Sequence, residues 1–361
     1  MVTTNSHPAN PLDLSSFGAR IHQLCHHVLA EELAPVANHP ALASFREVIT
    51  PYVTEGKSLR ALGVSVGAAV ASGRQLGEDE TALQLGVALE LYQGSALIHD
   101  DLIDQAPVRR GQPSAHVRAA QLISPQLAEP VAILAGDYLL SLVHARTVDA
   151  LACLPPATAQ RVGRYLADIT AEVAWGQYLD VLAASEGLAD PVQLRAHVLE
   201  VIAVKAGNYS VMRPLILGAL LYTDSEEILA PLRVAGHNWG LAFQMRDDAL
   251  DFANADATTG KTAGTDLREG KRTVLLTLGL ERADAQQRQL LVDALGRSDL
   301  EAAQVAQIRQ VLADCGAWEE HEQMITQLYQ QGLAALDQLP VDTAARGLLR
   351  DYARLLVERQ Y

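Results

Sequence analysis

Two short acidic clusters constrain the fold of this chain more than any other feature: Asp100-Asp101-Leu102-Ile103-Asp104 and Asp247-Asp248-Ala249-Leu250-Asp251. Each reads D-D-x-x-D, and each is embedded in an apolar, helix-like segment, a costly place for three carboxylates. On a helix, residues i and i+4 share a face. Asp100 therefore lies above Asp104 and Asp247 above Asp251, with the middle Asp displaced by about 100°. Two such faces turned toward each other would hold six carboxylates around one cleft. Carboxylates so crowded repel unless cations lie between them. Hard oxygen donors select Mg²⁺ or Ca²⁺, and Mg²⁺ takes one or two carboxylates and leaves the rest of its shell to phosphate oxygens. One cluster alone would read as a solvated acidic helix end. Two matching clusters, each followed by basic residues, read as a diphosphate held by Mg²⁺ between two Asp-rich helices.

The rest of the chain supplies the helices. From about residue 14, segments of Ala, Leu, Val and Glu alternate with short Gly, Pro and Asp punctuation, whereas β-branched alternation is rare and aromatics are only 5%. The stretches 79–104, 129–152, 157–184, 190–222 and 226–253 have helical length and composition. Prolines at 107, 113, 125, 155–156, 191 and 231 fit helix boundaries. Residues 1–12 read as a disordered tail. No Pro/Gly/Ser-rich linker divides the remainder, so residues 13–361 read as one all-α domain of ten or more helices. The segment 83–98 is apolar nearly all round and should be buried at the centre. No internal repeat surrounds the two clusters.

Charge and cysteine usage bound the function. A net charge of −15 argues against nucleic acid as a partner, but local Lys and Arg can still line a cleft for a phosphorylated substrate. Cys25, Cys153 and Cys315 are few and widely spaced, as in a reduced, cytoplasmic protein. The N-terminus lacks a signal-peptide layout, and no uninterrupted apolar run reaches the length of a membrane span. A greasy substrate would have to be sheltered inside the fold.

Basic residues follow each acidic cluster. Pro107 and Gly111 make a turn that carries Arg109 and Arg110, and Arg is suited to bidentate phosphate binding. The alternative is a pair of salt bridges to the same aspartates. After the second cluster, residues 259–273 are rich in Gly, Thr and Lys, a composition for a loop that closes over an anion. It lacks the G-x-x-x-x-G-K-[ST] spacing and the preceding strand of a P-loop. Lys57 and Arg60 fall at i and i+3 where a helix should begin, on one face. Lys205, among Ala and Val, is either a snorkelling surface residue or a buried phosphate partner. His22, Cys25 and His26 have a spacing that zinc could use, but no second ligand cluster accompanies them.

Taken together, residues 50–275 resemble the trans-prenyltransferase (polyprenyl diphosphate synthase) family. The resemblance is carried by Gly56-Lys57 with Arg60, the first D-D-x-x-D with Arg109-Arg110-Gly111, and Gly136-Asp137-Tyr138-Leu139-Leu140. It continues through Gly176-Gln177 with Asp180, Lys205, and Phe243-Gln244 before the second D-D-x-x-D. Lys261, Gly264-Thr265-Asp266-Leu267 and Gly270-Lys271 complete it. It implies a single all-α bundle of helices around a deep central cleft, usually a homodimer, that condenses an allylic diphosphate (dimethylallyl, geranyl or farnesyl) head-to-tail with isopentenyl diphosphate. By position, Asp100, Asp104 and Asp247 would ligate Mg²⁺, three ions per site, with Asp101, Asp248 and Asp251 assisting directly or through water. Arg109, Lys205, Lys261 and Lys271 would hold the allylic diphosphate. Lys57, Arg60, Gln93 and Arg110 would hold isopentenyl diphosphate, and Gln244 would orient the allylic group. The chain departs from the family pattern at Glu55, Ser58, Gln93 and Ala206, departures expected to tune affinity.

The family limits product length with bulky residues upstream of the first cluster. Here the fourth and fifth positions upstream are small, Ala96 and Ser95, which leaves room beyond fifteen carbons. Tyr92, eight residues upstream and about 12 Å along the helix axis, is the expected floor. Each added isoprene buries five carbons, on the order of 4 kcal/mol if fully desolvated, so elongation needs a floor to stop it. The expected product is geranylgeranyl diphosphate, with farnesyl or longer polyprenyl diphosphates as alternatives. A class I terpene cyclase would lack the isopentenyl residues, and a non-catalytic subunit of a heteromeric synthase would have lost one acidic cluster.

Overall fold

Each long apolar stretch is a helix in the computed structural model, which describes residues 13–36, 38–39, 41–185, 190–253 and 264–358. The expected tail over 1–12 lies outside the described residues. In chain order the helices are α1 (Leu14–Leu33), α2 (Leu42–Thr54), α3 (Leu59–Ser72), α4 (Glu80–Ile103), α5 (Ala115–Leu122), α6 (Ala128–Leu151) and α7 (Pro156–Ser185). Then follow α8 (Pro191–Ile202), α9 (Arg213–Ala219), α10 (Glu226–Ala253), α11 (Thr265–Glu269), α12 (Val274–Arg282), α13 (Ala285–Ala294), α14 (Ala302–Asp314), α15 (Ala317–Ala335) and α16 (Thr343–Val357). Local chemistry sets their ends. Asp79 caps α4 by accepting from the Ala82 N–H at 2.9 Å, and Asp284 with Gln287 forms a capping box on α13.

Helix α4 is the central element. Leu83, Leu85, Leu89, Leu91 and Ile98 are fully buried, and α1, α2, α3, α5 and α6 all pack on it. The all-round apolar pattern of 83–98 therefore does mark the core. It leaves the acidic end of α4 as the polar terminus of a buried rod.

Three local features differ from the sequence reading. The stretch 190–222 is not one uniform helix, because Ala203–Met212 wind as a π-helix between α8 and α9. Pro214, in the first turn of α9, has no N–H to give, and the wider winding passes the Arg213 N–H to Asn208 O. Pro231 is not at a boundary but inside α10. The turn after α4 is a miniature hairpin, β1 (Val108–Arg109) with β2 (Gln112–Pro113), in which Arg109 pairs with Gln112. Its two turn residues, Arg110 and Gly111, both have positive φ, 52° and 74°, the geometry that suits a two-residue hairpin.

One helix bears on the expectation that no uninterrupted apolar run reaches membrane-span length. Pro125–Leu151 is long and apolar enough to cross a membrane by length and composition, with 33% of its most apolar window buried, but Glu129 and Asp137 lie within it. Asp137 interrupts the apolar run, its Oδ1 3.6 Å from His99 Nε2 of α4. One side of α6 packs on α4, while Ile133, Leu134 and Val148 on the other side are exposed.

Candidate active site

The last turn of α4 brings the first acidic cluster to one end of the bundle, and its three aspartates do different things. Asp100 accepts from Lys205 Nζ at 3.2 Å and from Arg109 Nη2 at 3.3 Å. Asp104 Oδ2 is buried and makes no hydrogen bond, with Lys271 Nζ 3.3 Å away. Asp101 faces the opposite way and is fully buried. Its Oδ1 takes the Arg109 guanidinium, through Nε at 2.7 Å and through Nη2, and its Oδ2 accepts from the Tyr52 hydroxyl at 2.7 Å. Both Asp101 oxygens accept from protein donors in this arrangement, which sets it apart from Asp100 and Asp104. The 100° offset of the middle residue of D-D-x-x-D puts it on the core side. Arg109 adopts the salt-bridged alternative, straddling Asp100 and Asp101. Burial would lower its pKa, but the two carboxylates outweigh that and raise it.

Lys205 is half-buried in the π-helical segment and bridges two helices. Its Nζ is 2.6 Å from Asp180 Oδ2 on α7 and 3.2 Å from Asp100 on α4. The approach depends on Gly176, where an added Cβ would lie 2.6 Å from both Lys205 Cα and N. The snorkelling alternative is thereby excluded. Asp180, one turn beyond Gly176, was not assigned a site role from sequence. Its only signal was its place in the Gly176-Gln177 motif.

The second cluster reaches the first through Lys271. This ammonium lies 3.3 Å from Asp104, 2.8 Å from Glu269 and 3.9 Å from Asp266. The Asp266 N–H in turn donates to Asp251 Oδ2 at 3.1 Å. Asp248 is buried and accepts from Gln244 Nε2 at 2.7 Å, so Gln244 is tied to the carboxylate one turn away on α10. Asp247 is exposed at the helix surface. Asp266 is a second residue that the sequence motifs contained but that received no role. Lys261 lies outside the described residues.

Electrostatics at this end are unbalanced. Lys205, Lys271 and Arg109 outweigh the effect of burial on Asp100 and hold it below the ordinary carboxylate range. Burial pushes Asp104 up more than Lys271 pulls it down. Burial, with Asp266 and Asp247 alongside, pushes Asp248 far up. Asp266 rises to about 7 through burial and the charges of Asp251, Glu269 and Asp247, despite Lys271. Among the described residues no three His, Cys, Asp or Glu side chains form a ready-made metal cage. The donor set nonetheless fits Mg²⁺, because the carboxylates are hard, crowded and short of cations, and Mg²⁺ needs only one or two of them beside phosphate oxygens.

Of the remaining expected residues, Lys57, Arg60 and Arg110 gather at the start of α3. The helix begins at Leu59 and Ser58 has φ 48°, so Lys57 precedes the helix and does not share a helical face with Arg60. It is exposed in the loop. Arg110 Nη1 donates to Glu55 O in the same loop. Arg60 donates to Ser210 Oγ at 2.7 Å. Burial, reinforced by Arg109 and Arg60, lowers the pKa of Arg110 against the pull of Glu90 and Glu55. This guanidinium cluster would be relieved by an anion. Gln93 is half-buried on α4. His22, of the zinc-like trio, has its Nε2 3.1 Å from Ser58 Oγ. A cavity of about 280 Å³ opens beside Asp104, Asp180 and Lys271, with Ile103, Val198 and Ile202 in its apolar wall.

An all-helical bundle with two aspartate-rich helix ends, joined by lysines and flanked by guanidiniums, defines a site for diphosphate chemistry. Residues 43–312 match the polyprenyl synthetase family, and the chain belongs to that family and is a prenyltransferase. It is 29% identical to a geranylgeranyl diphosphate synthase of Methanosarcina mazei over 345 residues, 92% of this chain and 94% of the relative. It is 34% identical to a geranylfarnesyl diphosphate synthase of Natronomonas pharaonis over 285 residues, 79% and 77% of the two chains. A geranylgeranyl pyrophosphate synthase from Corynebacterium glutamicum, solved with isoprenyl diphosphate and magnesium, superimposes with a TM-score of 0.86 at 33% identity. That match covers 97% of this chain and 100% of the solved one.

Proposed function

We propose that the protein is a Mg²⁺-dependent geranylgeranyl diphosphate synthase, elongating an allylic diphosphate with isopentenyl diphosphate. The observation that carries this reading is the meeting of Asp100, Asp180 and Lys205 at one end of α4, α7 and the π-helical segment, with Lys271 linking the second cluster. Bound Mg²⁺, read as three ions, would supply further positive charge to the diphosphates, with Asp100, Asp104, Asp247, Asp248 and Asp251 as the residues to hold it. Arg109, Lys205 and Lys271, with Lys261, would bind the allylic diphosphate. These fixed cations stabilise the leaving diphosphate more as its C–O bond breaks and negative charge grows on it. The diphosphate departs with the bonding electron pair, the isopentenyl double bond attacks the allylic cation, and the adjacent carbon gives up a proton to the released pyrophosphate, re-forming a double bond. Lys57, Arg60, Gln93 and Arg110 would hold the isopentenyl diphosphate, and Gln244 would orient the allylic group.

Tyr92 is the proposed floor. Its hydroxyl donates to Thr170 O on α7 at 2.9 Å, and its ring meets Tyr209 of the π-helical segment edge-on. The three helices that converge at Asp100 are thus bridged again at Tyr92, about 12 Å lower along α4. A chain descending between them would pass Ala96 and Ser95 and stop there. The exposed Leu134 and Val148 of α6 and the paired, exposed Trp175 and Tyr178 of α7 are apolar surface that supports a homodimer. The free cysteines are in keeping with a cytoplasmic location.

The test is product analysis. The purified protein, Mg²⁺ and labelled isopentenyl diphosphate are incubated with dimethylallyl, geranyl or farnesyl diphosphate, and the dephosphorylated products are separated. A ladder ending at twenty carbons is expected. A twenty-five-carbon end point would keep the class and remove the Tyr92 floor. No elongation from any primer would overturn the reading.

A further inference from the structure

Tyr209 lies four residues past Lys205 and is buried, 3% exposed. Arg60 stacks over its ring, 4.4 Å from guanidinium carbon to centroid, and donates to the neighbouring Ser210 Oγ at 2.7 Å. Tyr92 meets the same ring edge-on, with centroids 5.5 Å apart and planes at 90°. One aromatic ring therefore touches both the arginine read as an isopentenyl ligand and the tyrosine read as the floor.

We infer that Tyr209 is a positioning residue that couples the product-length stop to the isopentenyl site. The inference rests on the synthase reading above and deepens it. Tyr92 is buried in the core, and its directional contacts among the described residues are the hydrogen bond to Thr170 O on α7 and the edge-on contact with the Tyr209 ring. It cannot yield toward the π-helical segment unless Tyr209 yields first. The face of that ring is also the platform that fixes the Arg60 guanidinium, since a cation over an aromatic face is held by the ring quadrupole. A chain pressing on Tyr92 thus presses on the support of Arg60. Termination of growth and loss of grip on the next isopentenyl diphosphate become one event.

The experiment compares the full-length wild type with Tyr92→Leu, Tyr209→Leu and Tyr209→Phe, measuring product end point and KM for isopentenyl diphosphate with a geranyl primer. Tyr209→Leu is expected to lengthen the product by at least one isoprene unit. It should also raise KM for isopentenyl diphosphate five- to tenfold, about 1.0–1.4 kcal/mol, with KM for the primer within twofold. Tyr92→Leu should lengthen the product and leave the isopentenyl KM within twofold. Tyr209→Phe, which keeps the ring, should restore both wild-type values, an outcome that a purely volumetric role for the hydroxyl would not give. If Tyr209→Leu does not fold by circular dichroism, Tyr209→Met, closer to tyrosine in length, carries the same comparison. An unchanged end point, or a longer product with unchanged isopentenyl KM, overturns the coupling. Failure of the wild type to elongate any primer overturns the synthase reading instead, so the two failures are distinct.

Discussion

Gly176→Ala is a one-carbon test of how the site is built. The new Cβ would lie 2.6 Å from Lys205 Cα and N and 3.0 Å from Lys205 Cβ. Contact at ordinary carbon separations of about 3.5–4.0 Å requires α7 and the π-helical segment to part by about 1 Å. Lys205 Nζ sits only 2.6 Å from Asp180 and 3.2 Å from Asp100, so the shift takes the ammonium off one or both carboxylates. Misplacing a catalytic group by 1 Å can cost on the order of 10²-fold in rate, and kcat should fall about 10- to 100-fold. Stability moves less. Overpacking costs about 1–3 kcal/mol, and replacing a mid-helix Gly by Ala returns roughly 1 kcal/mol. The variant should therefore fold and fail in chemistry. The assay pairs single-turnover prenyl transfer with urea denaturation at equal m. A folded variant with kcat within twofold of wild type would show that the Lys205 bridge is not needed for turnover.

Tyr52→Phe removes the hydroxyl that donates to Asp101 and accepts from the Ala115 N–H at 2.8 Å. Two buried polar groups lose a partner, so denaturation should show a loss of about 2–5 kcal/mol, with the Mg²⁺ activation constant unmoved because Asp101 is not counted among the ligands. His321 is 1% exposed with neither ring nitrogen hydrogen-bonded, and burial lowers its pKa to about 4, with Glu322 and Arg246 pulling in opposite directions. The fold refuses a proton that the unfolded chain accepts below about pH 6.5. The histidine should therefore remove about 3 kcal/mol of stability as pH falls from 6.5 to 4, a slope that His321→Leu should flatten in pH-dependent denaturation. Chelation of Mg²⁺ should abolish product formation and shift Tm by less than about 3 °C, because the acidic ends are already partly compensated by protein cations. A larger drop would assign the metal a structural role.

What the sequence made legible, and what it did not, follows from the range of the forces involved. Helices α4 and α10 were readable because their apolar content and end signals are local, and the two acidic clusters stood out because carboxylates in such segments are expensive. The π-helical winding was not readable. AVKAGNYSVM has no periodicity break, and the missing N–H of Pro214 acts only through the bond that Arg213 makes to Asn208. The division of labour within the first cluster was hidden for a different reason. Asp100 and Asp101 are the same residue type side by side, and what separates them is Tyr52, distant in sequence, turning Asp101 into an anchor for Arg109. Asp180 and Asp266 were overlooked because a single carboxylate carries no pattern of its own, and their partners Lys205 and Lys271 find them only in three dimensions. The unbalanced charge could not come from sequence either, since it depends on burial. A chain with net charge −15 could have neutralised these carboxylates on its own with more lysines. Instead burial holds Asp248 and Asp266 well above their ordinary range, while Lys205 and Lys271 each bridge carboxylates from different segments and do not cancel every charge.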